Sequence, residues 1–272
     1  MAKDLTEIIK ETAISENDQY YWGYQYQLGR SSIAPYLINE GAFKPGYAVC
    51  EIGSAEGGVL HALQQEGAVN ALGTDIAAFR LETGKKIAGL CGLDTKYDEH
   101  NIITEEPKEE WLEAYNLVLL RDVIEHLDDT YAALDNIKKI IRPGGYLYVT
   151  FPPYYSPFGG HQHTVANTWG KIPFIHMLPD SIFLKLIESG RPQDIGEVKR
   201  LQQIRLTPKK FIEAANKAGY EIKKAEYYFL RPVFKMKFGL PTVKSTPLSF
   251  IPPVRDLLSL EASFILRKPD TP

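Results

Sequence analysis

A glycine-rich turn between two apolar runs is the strongest chemical feature of the sequence. Residues 51–58 read EIGSAEGG, in which Gly53, Ala55 and Gly58 nearly match the dinucleotide pattern G-x-G-x-x-G. Glycines let the backbone approach a ligand closely, and the start of the following helix offers free N–H groups. Asp75 ends the next apolar run, where a carboxylate can accept hydrogen bonds from both hydroxyls of a ribose. The pattern predicts a nucleoside-containing cofactor, and the alternative is a tight turn in a ligand-free α/β domain.

The charges in this turn narrow the choice of cofactor. Glu51 would place a carboxylate where the pyrophosphate of a dehydrogenase cofactor would bind, so a ligand with positive charge is favoured. The turn contains Glu56 and no lysine, which excludes a phosphate-binding P-loop. Residues 51–58 therefore favour a cationic cofactor over a nicotinamide dinucleotide.

Two histidines in an irregular segment are the candidate catalytic residues. His161 and His163 occur in the sequence GGHQH, and histidine is suited to proton transfer near neutral pH. Loop histidines that bond only to the backbone are the structural alternative. An H-x-H pair also suits a metal, but no clear third ligand is apparent in the sequence, so no metal is predicted.

Four further side chains are candidates for contact with a substrate. His126 would shape the floor of a pocket, and Tyr154 and Tyr155 would line that pocket or pack within a lid. The aromatic cluster at 20–26 is either core or a cover over cofactor and substrate, with tyrosine hydroxyls as polar handles. Tyr26 is the candidate from this cluster.

Alternating strand-like and helix-like patterns carry these residues. The predicted strands cover 47–52, 69–74, 95–99, 116–120, 145–151, 220–230 and 261–266. The predicted helices cover 58–67, 77–90, 130–141, 180–189 and 209–218. Strands that alternate with helices imply right-handed crossovers and a parallel sheet covered on both faces. Ligands bind such sheets beyond the carboxyl ends of the strands, where the turn at 51–58 and Asp75 both fall.

Three segments fall outside this alternation. Residues 1–44 are predicted to form a helical cover on a domain that spans 45–272. Residues 152–204 are rich in proline, glycine, histidine and aromatic residues, and so long a stretch with little regular pattern is usually a lid or binding loop. Residues 231–257 form a basic and aromatic excursion before the last strand, and its prolines exclude one continuous helix.

The basic stretch 229–255 and the overall charge bear on the partners. The chain has 31 basic and 34 acidic residues, so no global field attracts nucleic acid. An excursion that closes a pocket or a homodimer is favoured for 229–255 over contact with a membrane, an acidic protein or RNA. We therefore expect a small-molecule substrate and no nucleic acid partner.

The remaining composition indicates an ordinary globular protein of 272 residues. Cys50 and Cys91 are too few for a disulfide framework or a four-cysteine zinc site. Residues 1–12 carry charges every few positions and lack the apolar core of a signal peptide. The apolar runs are too short to span a bilayer, so a cytoplasmic location is expected.

Four motifs together resemble a known family. They read VCEIGSAEGG, GTD, NLVLLRDVIEHLDD and IRPGGYLYVTFPP, in family order and spacing from about residue 45 to 153. The sequence resembles the class I methyltransferases that use S-adenosylmethionine, in the branch that includes quinone and other small-molecule methyltransferases. The resemblance implies a Rossmann-like, doubly wound α/β fold. Its seven-stranded sheet would be mostly parallel with an antiparallel last strand and helices on both faces, and a lid would be inserted.

The resemblance also implies roles for the residues of the turn. Glu51 and Gly53 would lie along the methionine part of the cofactor, Ser54 and Ala55 would form the turn, and Gly57 would open the helix. Ala55 replaces a more usual glycine, which is tolerable if its φ stays negative.

Other matching residues would hold the remaining parts of the cofactor. Asp75 would bind the ribose hydroxyls, and Ile76 would lie against the adenine. Asn101 stands where the family often has aspartate facing the adenine amino group, and Ile102 would supply an N–H group and an apolar wall. The backbone carbonyls of Arg121–Asp122 would hold the methionine ammonium.

The leading hypothesis is transfer of a methyl group from S-adenosylmethionine to an oxygen or nitrogen atom of a small molecule, with S-adenosylhomocysteine as product. A non-catalytic or regulatory protein that binds S-adenosylmethionine is the main alternative. A nicotinamide-dependent oxidoreductase is disfavoured by Glu51 and by the motifs at 124–129 and 142–145.

Overall fold

A single eight-stranded sheet forms the centre of the molecule. The computed structural model describes residues 4–10, 12–246 and 250–270. The strands are β1 Ala48–Ile52, β2 Val69–Asp75, β3 Lys96–Glu99, β4 Tyr115–Arg121, β5 Ile141–Phe151, β6 Glu221–Leu230, β7 Val243–Lys244 and β8 Glu261–Arg267. Their order across the sheet is β3-β2-β1-β4-β5-β8-β6-β7.

Eleven α-helices flank the sheet or extend from it in the described part of the chain. They are α1 Leu5–Ile9, α2 Glu16–Leu28, α3 Ala34–Asn39, α4 Gly58–Gln65, α5 Ala78–Cys91, α6 Thr130–Ile140, α7 Asp180–Ile187, α8 Pro192–Ile204, α9 Pro208–Lys217, α10 Val233–Phe238 and α11 Pro252–Leu258. None of these helices is long and apolar enough to cross a lipid bilayer.

The apolar runs of β1 and β4 are buried on both faces because helices cover both sides of the sheet. Alternate side chains point to opposite faces, so Val49 of β1 packs with α3 and α4 while Cys50 packs with α6 and α9. Strands β1 to β5 pair in parallel, with Glu51 opposite Leu119 of β4 and Gly73 of β2. The carboxyl ends of these strands therefore meet at one edge of the sheet.

The C-terminal strands run as the sequence indicates, with one addition. β8 pairs antiparallel with both β5 and β6, which confirms the antiparallel last strand. A short strand at Val243–Lys244 pairs antiparallel with β6, so the sheet has eight strands instead of the predicted seven. Two residues between prolines give no detectable strand pattern, which explains the error.

The N-terminal helices pack closely against α4. Trp22 stacks on Tyr26, and its Nε1 donates a hydrogen bond to Nδ1 of His61 at 2.9 Å. Gly58 permits this approach, because a Cβ there would lie only 2.7 Å from the carbonyl oxygen of Trp22. Burial lowers the pKa of His61 to about 3, so this imidazole is neutral and structural.

The lid segment, residues 152–204, contains more regular structure than the sequence indicates. The predicted helix at 180–189 is present as α7, but α8 was missed although Pro192 stands at a favourable first position. Val165, Phe183, Ile187 and Val198 form a small core of their own beneath these helices. The lid is therefore a packed subdomain with its own apolar centre.

Candidate functional site

A cleft of about 520 Å³ lies beyond the carboxyl ends of β1, β2 and β4. We call it the strand-end cleft. Eight of the predicted cofactor residues line it: Gly53, Ala55, Asp75, Ile76, Asn101, Ile102, Arg121 and Asp122. The topology of a parallel sheet brings these distant positions together, as the sequence analysis expects.

The glycine-rich turn is tight, as the sequence predicts, but the backbone of Ala55 differs from the expectation. Gly53 and Gly57 adopt φ values of +68° and +76°, and a Cβ at either would collide with Val123 or with Tyr97. Ala55 also lies in the left-handed region, at φ +48°, so the expectation of a negative φ is wrong. This conformation costs an alanine about 1–2 kcal/mol. Ser54 is buried, and its N–H donates to the carbonyl of Thr74.

Asp75 is held in place by two backbone donors. Its Oδ2 accepts a hydrogen bond from the N–H of Ala55 at 3.0 Å, and its Oδ1 accepts one from the N–H of Ala77 at 2.9 Å. Each carboxylate oxygen retains acceptor capacity, because such an oxygen offers two lone pairs. The carboxylate can therefore accept further bonds in the strand-end cleft.

Glu51 does not face the cleft as the charge argument supposed. Its side chain is 3% exposed, and its Oε1 pairs with Nη1 of Arg121 at 3.1 Å. Burial raises the pKa of Glu51, and the Arg121 guanidinium opposes that rise. Arg121 also donates two hydrogen bonds to Oε1 of Gln25. This arginine, with Gln25, forms the polar floor of the cleft.

Asn101 lines the cleft but uses its side-chain oxygen locally. Its Oδ1 accepts hydrogen bonds from the N–H groups of Ile103 and Thr104 at 3.1 and 3.4 Å. An adenine amino group needs an acceptor, so this Asx-type turn competes with the role that the resemblance implies.

A second cavity, also about 520 Å³, adjoins the cleft under the lid segment. We call it the lid cavity. Tyr24, Gln25, Arg121 and Asp122 line both spaces, so the two meet at these residues. His161 and His163 of the lid form part of its wall, and Arg231, Phe234 and Lys237 of the 229–255 stretch form another part. The lid segment and the 229–255 stretch, which the sequence analysis treats separately, thus both line the lid cavity.

Three titratable side chains converge between the cleft and the lid cavity. Glu125 is 2% exposed, both of its carboxylate oxygens lack a hydrogen-bond partner, and Oε1 lies 3.8 and 3.9 Å from Nε2 of His126 and of His161. Nδ1 of His126 is hydrogen-bonded to Glu197 of α8. One candidate donor atom on each of the three lies within 4.8 Å of the others, a grouping that could hold a metal ion. The expectation of no metal, which rested on a missing third ligand, stays a prediction.

Burial and neighbouring charge set the protonation of this cluster. Burial raises the pKa of Glu125 to about 8, so the carboxyl is mostly protonated at neutral pH. Burial lowers the pKa of His161 to about 3, with the charge of His126 acting in the same direction. Burial alone would lower the pKa of His126, but its bond to Glu197 raises the value overall. His161 is therefore a neutral imidazole in the wall of the lid cavity.

An ion-pair chain fixes the junction of the two spaces. Arg231 pairs with Asp122, and its Nε lies 2.9 Å from Oε2 of Glu261. Asp122 itself has φ +53°, and its N–H donates to the carbonyl of Thr150 in β5. Burial alone would raise the pKa of Asp122, but Arg231 and Arg121 hold it below its usual value.

The four candidates for contact with a substrate differ in whether they line a cavity. His126 lines the strand-end cleft, whereas Tyr26, Tyr154 and Tyr155 are absent from the walls of both cavities as far as the described residues show. Tyr26 is fully buried against Trp22. Tyr154 is 4% exposed and packs on Tyr155.

Sequence reasoning missed several residues that do line the site. Tyr24 and Gln25 both line the site. Tyr24 lies two positions before Tyr26 and therefore about 200° around the helix from it, so it points away from the core in which Tyr26 is buried. The cluster at 20–26 signalled this helix but not which face is buried. Lys171 carried no signal at all, because nothing in the pattern around it distinguishes a cavity wall from solvent.

A family comparison agrees with this geometry. The model of a methyltransferase domain matches residues 21–191, well over half of the chain. The chain therefore belongs to the methyltransferase-domain family. The match begins within α2 and ends just before α8, so it includes the strand-end motifs and His161 and His163, but not the residues of the 229–255 stretch that line the lid cavity.

Solved structures agree in fold. An S-adenosylmethionine-dependent methyltransferase from Mesorhizobium loti has 13% identity and a TM-score of 0.56, with 88% of this chain and 99% of that chain covered. A possible histamine N-methyltransferase from Thermotoga maritima has 15% identity and a TM-score of 0.52, with 97% and 99% covered. The geranyl diphosphate C-methyltransferase of Streptomyces coelicolor, solved with Mg²⁺, geranyl diphosphate and S-adenosyl-L-homocysteine, has 12% identity and a TM-score of 0.57, with 88% and 80% covered.

These comparisons confirm the Rossmann-like class I methyltransferase fold and support S-adenosylmethionine as the cofactor. They do not distinguish the quinone branch, and the similar proteins include both a possible N-methyltransferase and a C-methyltransferase. A comparison with curated proteins finds no match.

The residues of the strand-end cleft fit S-adenosylmethionine. Asp75 offers acceptor oxygens in the cleft, as a ribose would require, and the collision of a Cβ at Gly53 with Val123 shows how closely these two lining residues approach. A volume of about 520 Å³ lies in the usual range for a cofactor site. The ion pairs of Glu51 and Asp122 with arginines leave the cleft without a strong excess of either charge.

Proposed function

We propose that the protein transfers a methyl group from S-adenosylmethionine to an oxygen or nitrogen atom of a small-molecule acceptor. The observation that carries this proposal is the junction of two similar cavities at Tyr24, Gln25, Arg121 and Asp122. One cavity has the cofactor residues and the other lies under a lid. A bimolecular transfer requires two sites that meet, since the reacting atoms must approach within about 3–3.5 Å.

The chain's own residues then have distinct tasks. Bound S-adenosylmethionine supplies a methyl carbon that its sulfonium activates toward an oxygen or nitrogen nucleophile. Asp75 and the turn at 53–57 hold the nucleoside, and Arg121 with Gln25 orients groups at the junction. The lid segment excludes water from the acceptor.

His161 is the candidate base. Its imidazole is neutral and lines the lid cavity beside the junction residue Asp122. A hydroxyl that has gained a methyl group becomes an oxonium with a strongly acidic proton, so even a weakly basic imidazole can accept that proton. An amine acceptor needs no such base, because the ammonium that it forms on methylation is a weak acid and keeps its proton until it reaches water. His163 lines the same cavity but lies edge-on to Phe158, 5.6 Å between ring centroids, and away from Glu125. The assignment therefore favours His161.

Calorimetry and label transfer test this function. S-adenosylmethionine and its product should bind, and NAD should not. A filtered small-molecule cell extract incubated with methyl-labelled S-adenosylmethionine, at a concentration below its dissociation constant, should yield a labelled product that the Asp75→Asn variant forms more slowly. Binding without any transfer would favour the regulatory alternative, and binding of NAD alone would contradict the proposal.

A further inference from the structure

The lid cavity has an excess of cationic groups at its walls. Four cations line it, namely Arg121, Lys171, Arg231 and Lys237, against the single carboxylate of Asp122. The two arginines have partners, since Arg121 pairs with Glu51 and Arg231 with Asp122 and Glu261. The lysines therefore decide the net charge of the cavity.

Neither lysine has a carboxylate within 4 Å among the residues that the structure describes. Nζ of Lys171 donates a hydrogen bond to the carbonyl of His163 at 2.6 Å, which leaves its charge uncompensated. Nζ of Lys237 lies 4.1 Å from the centroid of the Tyr24 ring, a cation–π contact that places the ammonium without neutralising it.

The two lysines come from different segments of the chain and line the same cavity. Lys171 belongs to the lid segment and Lys237 to α10. Burial lowers the pKa of His163, and the charges of Lys171, Arg231 and Lys237 act in the same direction, so all three cations lie near this imidazole. Lys237 is itself disfavoured as a cation by burial and by Arg231. An anionic ligand would relieve this repulsion.

The rest of the wall is apolar and aromatic. Phe158, Val233, Phe234, Phe238 and Leu260 line the cavity, and Phe234 and Phe238 lie edge to face with centroids 5.4 Å apart. Such walls accept a flat or branched hydrocarbon body. The reactive end of a ligand would then face Asp122 and His161 at the junction.

We propose that the acceptor is a small molecule with an anionic oxygen group, a carboxylate or a phosphate, on an apolar body, and that Lys171 and Lys237 bind this anion. The inference rests on the proposed methyl transfer, because it names the substrate class of the same site. It also assigns a role to the basic stretch 229–255, which closes the cavity with Arg231, Phe234 and Lys237.

Binding of matched probes to the protein loaded with S-adenosylhomocysteine tests the inference. Benzoate and phenyl phosphate should each bind about tenfold more tightly than benzamide and benzyl alcohol, as expected for two partly exposed lysines. A preference for one of the two anions distinguishes carboxylate from phosphate. Equal binding of charged and neutral probes, or no binding of either anion, overturns the proposal.

Lysine variants test whether Lys171 and Lys237 cause the preference for anionic probes. K171Q/K237Q should lose most of the preference for anions and its dependence on salt. The matched control K235Q removes a lysine from the same helix that does not line the cavity, and it should behave as the parent protein. An unchanged preference in K171Q/K237Q would contradict the assignment.

The labelled product from the small-molecule extract gives an independent readout. It should be retained by anion exchange. K171Q/K237Q should need a higher concentration of extract to reach the half-maximal rate of product formation, while its affinity for S-adenosylhomocysteine should be unchanged. A labelled product that is not retained overturns the anionic acceptor but leaves methyl transfer intact. Loss of S-adenosylhomocysteine binding in the parent protein would instead mark failure of the proposed function.

Discussion

The strand-end cleft and the lid cavity have similar volumes, about 520 Å³ each, but they are built in different ways. The cleft is formed by turns that follow parallel strands, so the order of strands determines which residues meet there. The lid cavity shares Arg121 and Asp122 with the cleft, but most of its wall comes from α2, the lid segment and α10, which approach one another through tertiary packing. The cofactor half of the site therefore follows from topology, whereas the acceptor half depends on contacts specific to this chain.

The largest effect is expected where the lid contributes to chemistry. His161→Asn keeps a residue that tolerates the observed φ of +53°, yet removes the imidazole. If His161 accepts the proton, kcat should fall by about 10²-fold, the lower end of the range for a general base because this imidazole is weakly basic, while affinity for S-adenosylhomocysteine is unchanged. Labelled methyl transfer measures this, and His163→Asn in the same cavity should show a smaller loss.

The pH profile provides a second readout for the same residue. Because burial lowers the pKa of His161 to about 3, this imidazole stays neutral near neutral pH. If the pH profile of the parent protein has an inflection near 6.5, the same inflection should therefore remain in His161→Asn. An unchanged kcat in His161→Asn would remove this residue from the mechanism.

A substitution in the strand-end cleft should weaken the binding of S-adenosylmethionine rather than slow the transfer step. Asp75→Asn retains the shape of the side chain but loses its charge and one acceptor, so the dissociation constant for S-adenosylmethionine should rise by about 10–100-fold. Calorimetry measures the change. Asp98→Asn, on the neighbouring strand β3 and paired with Lys108 at the surface, is the matched control and should bind as the parent protein does. Equal affinity in both variants would contradict the role of Asp75.

Glu125 at the boundary of the two regions should make stability depend on pH. Burial raises its folded pKa from 4.5 to about 8, so the protonated carboxyl contributes stability that is complete below 4.5 and is lost as pH rises to about 8. Glu125→Gln is neutral at every pH, so its free energy of unfolding relative to the parent should increase across this window. Denaturant titration at several pH values tests this.

Glu99→Gln is the control for that titration, because Glu99 is exposed on β3 and should leave the pH profile unchanged. A stability difference between Glu125→Gln and the parent that stays constant from pH 4.5 to 8 would show that burial does not perturb Glu125.

The smallest effect concerns the strained turn. Ala55→Gly relieves a positive φ and should raise the free energy of unfolding by about 0.5–1 kcal/mol, after the entropy cost of glycine is subtracted. Ala78→Gly, at the exposed first position of α5, has no positive φ to relieve and should not raise it. Destabilisation by both substitutions would show that Ala55 is not strained.

The same contrast explains what the sequence could predict. The strands and the motifs at their ends, including Asp75 and Gly53, follow from hydrophobic periodicity and glycine punctuation. The pairing of Glu51 with Arg121, 70 residues apart, requires side-chain conformations that no local pattern encodes. The helix α8 and the orientation of Tyr24 against Tyr26 were missed for a related reason, because they depend on which face tertiary packing covers.

A crystal structure of the protein with S-adenosylhomocysteine is the most direct test of the account. The adenosyl group should occupy the strand-end cleft with its ribose hydroxyls on Asp75 and its sulfur directed to the junction at Arg121 and Asp122. A ligand bound elsewhere, or a cleft filled by the protein's own side chains, would contradict the proposed arrangement of the two cavities.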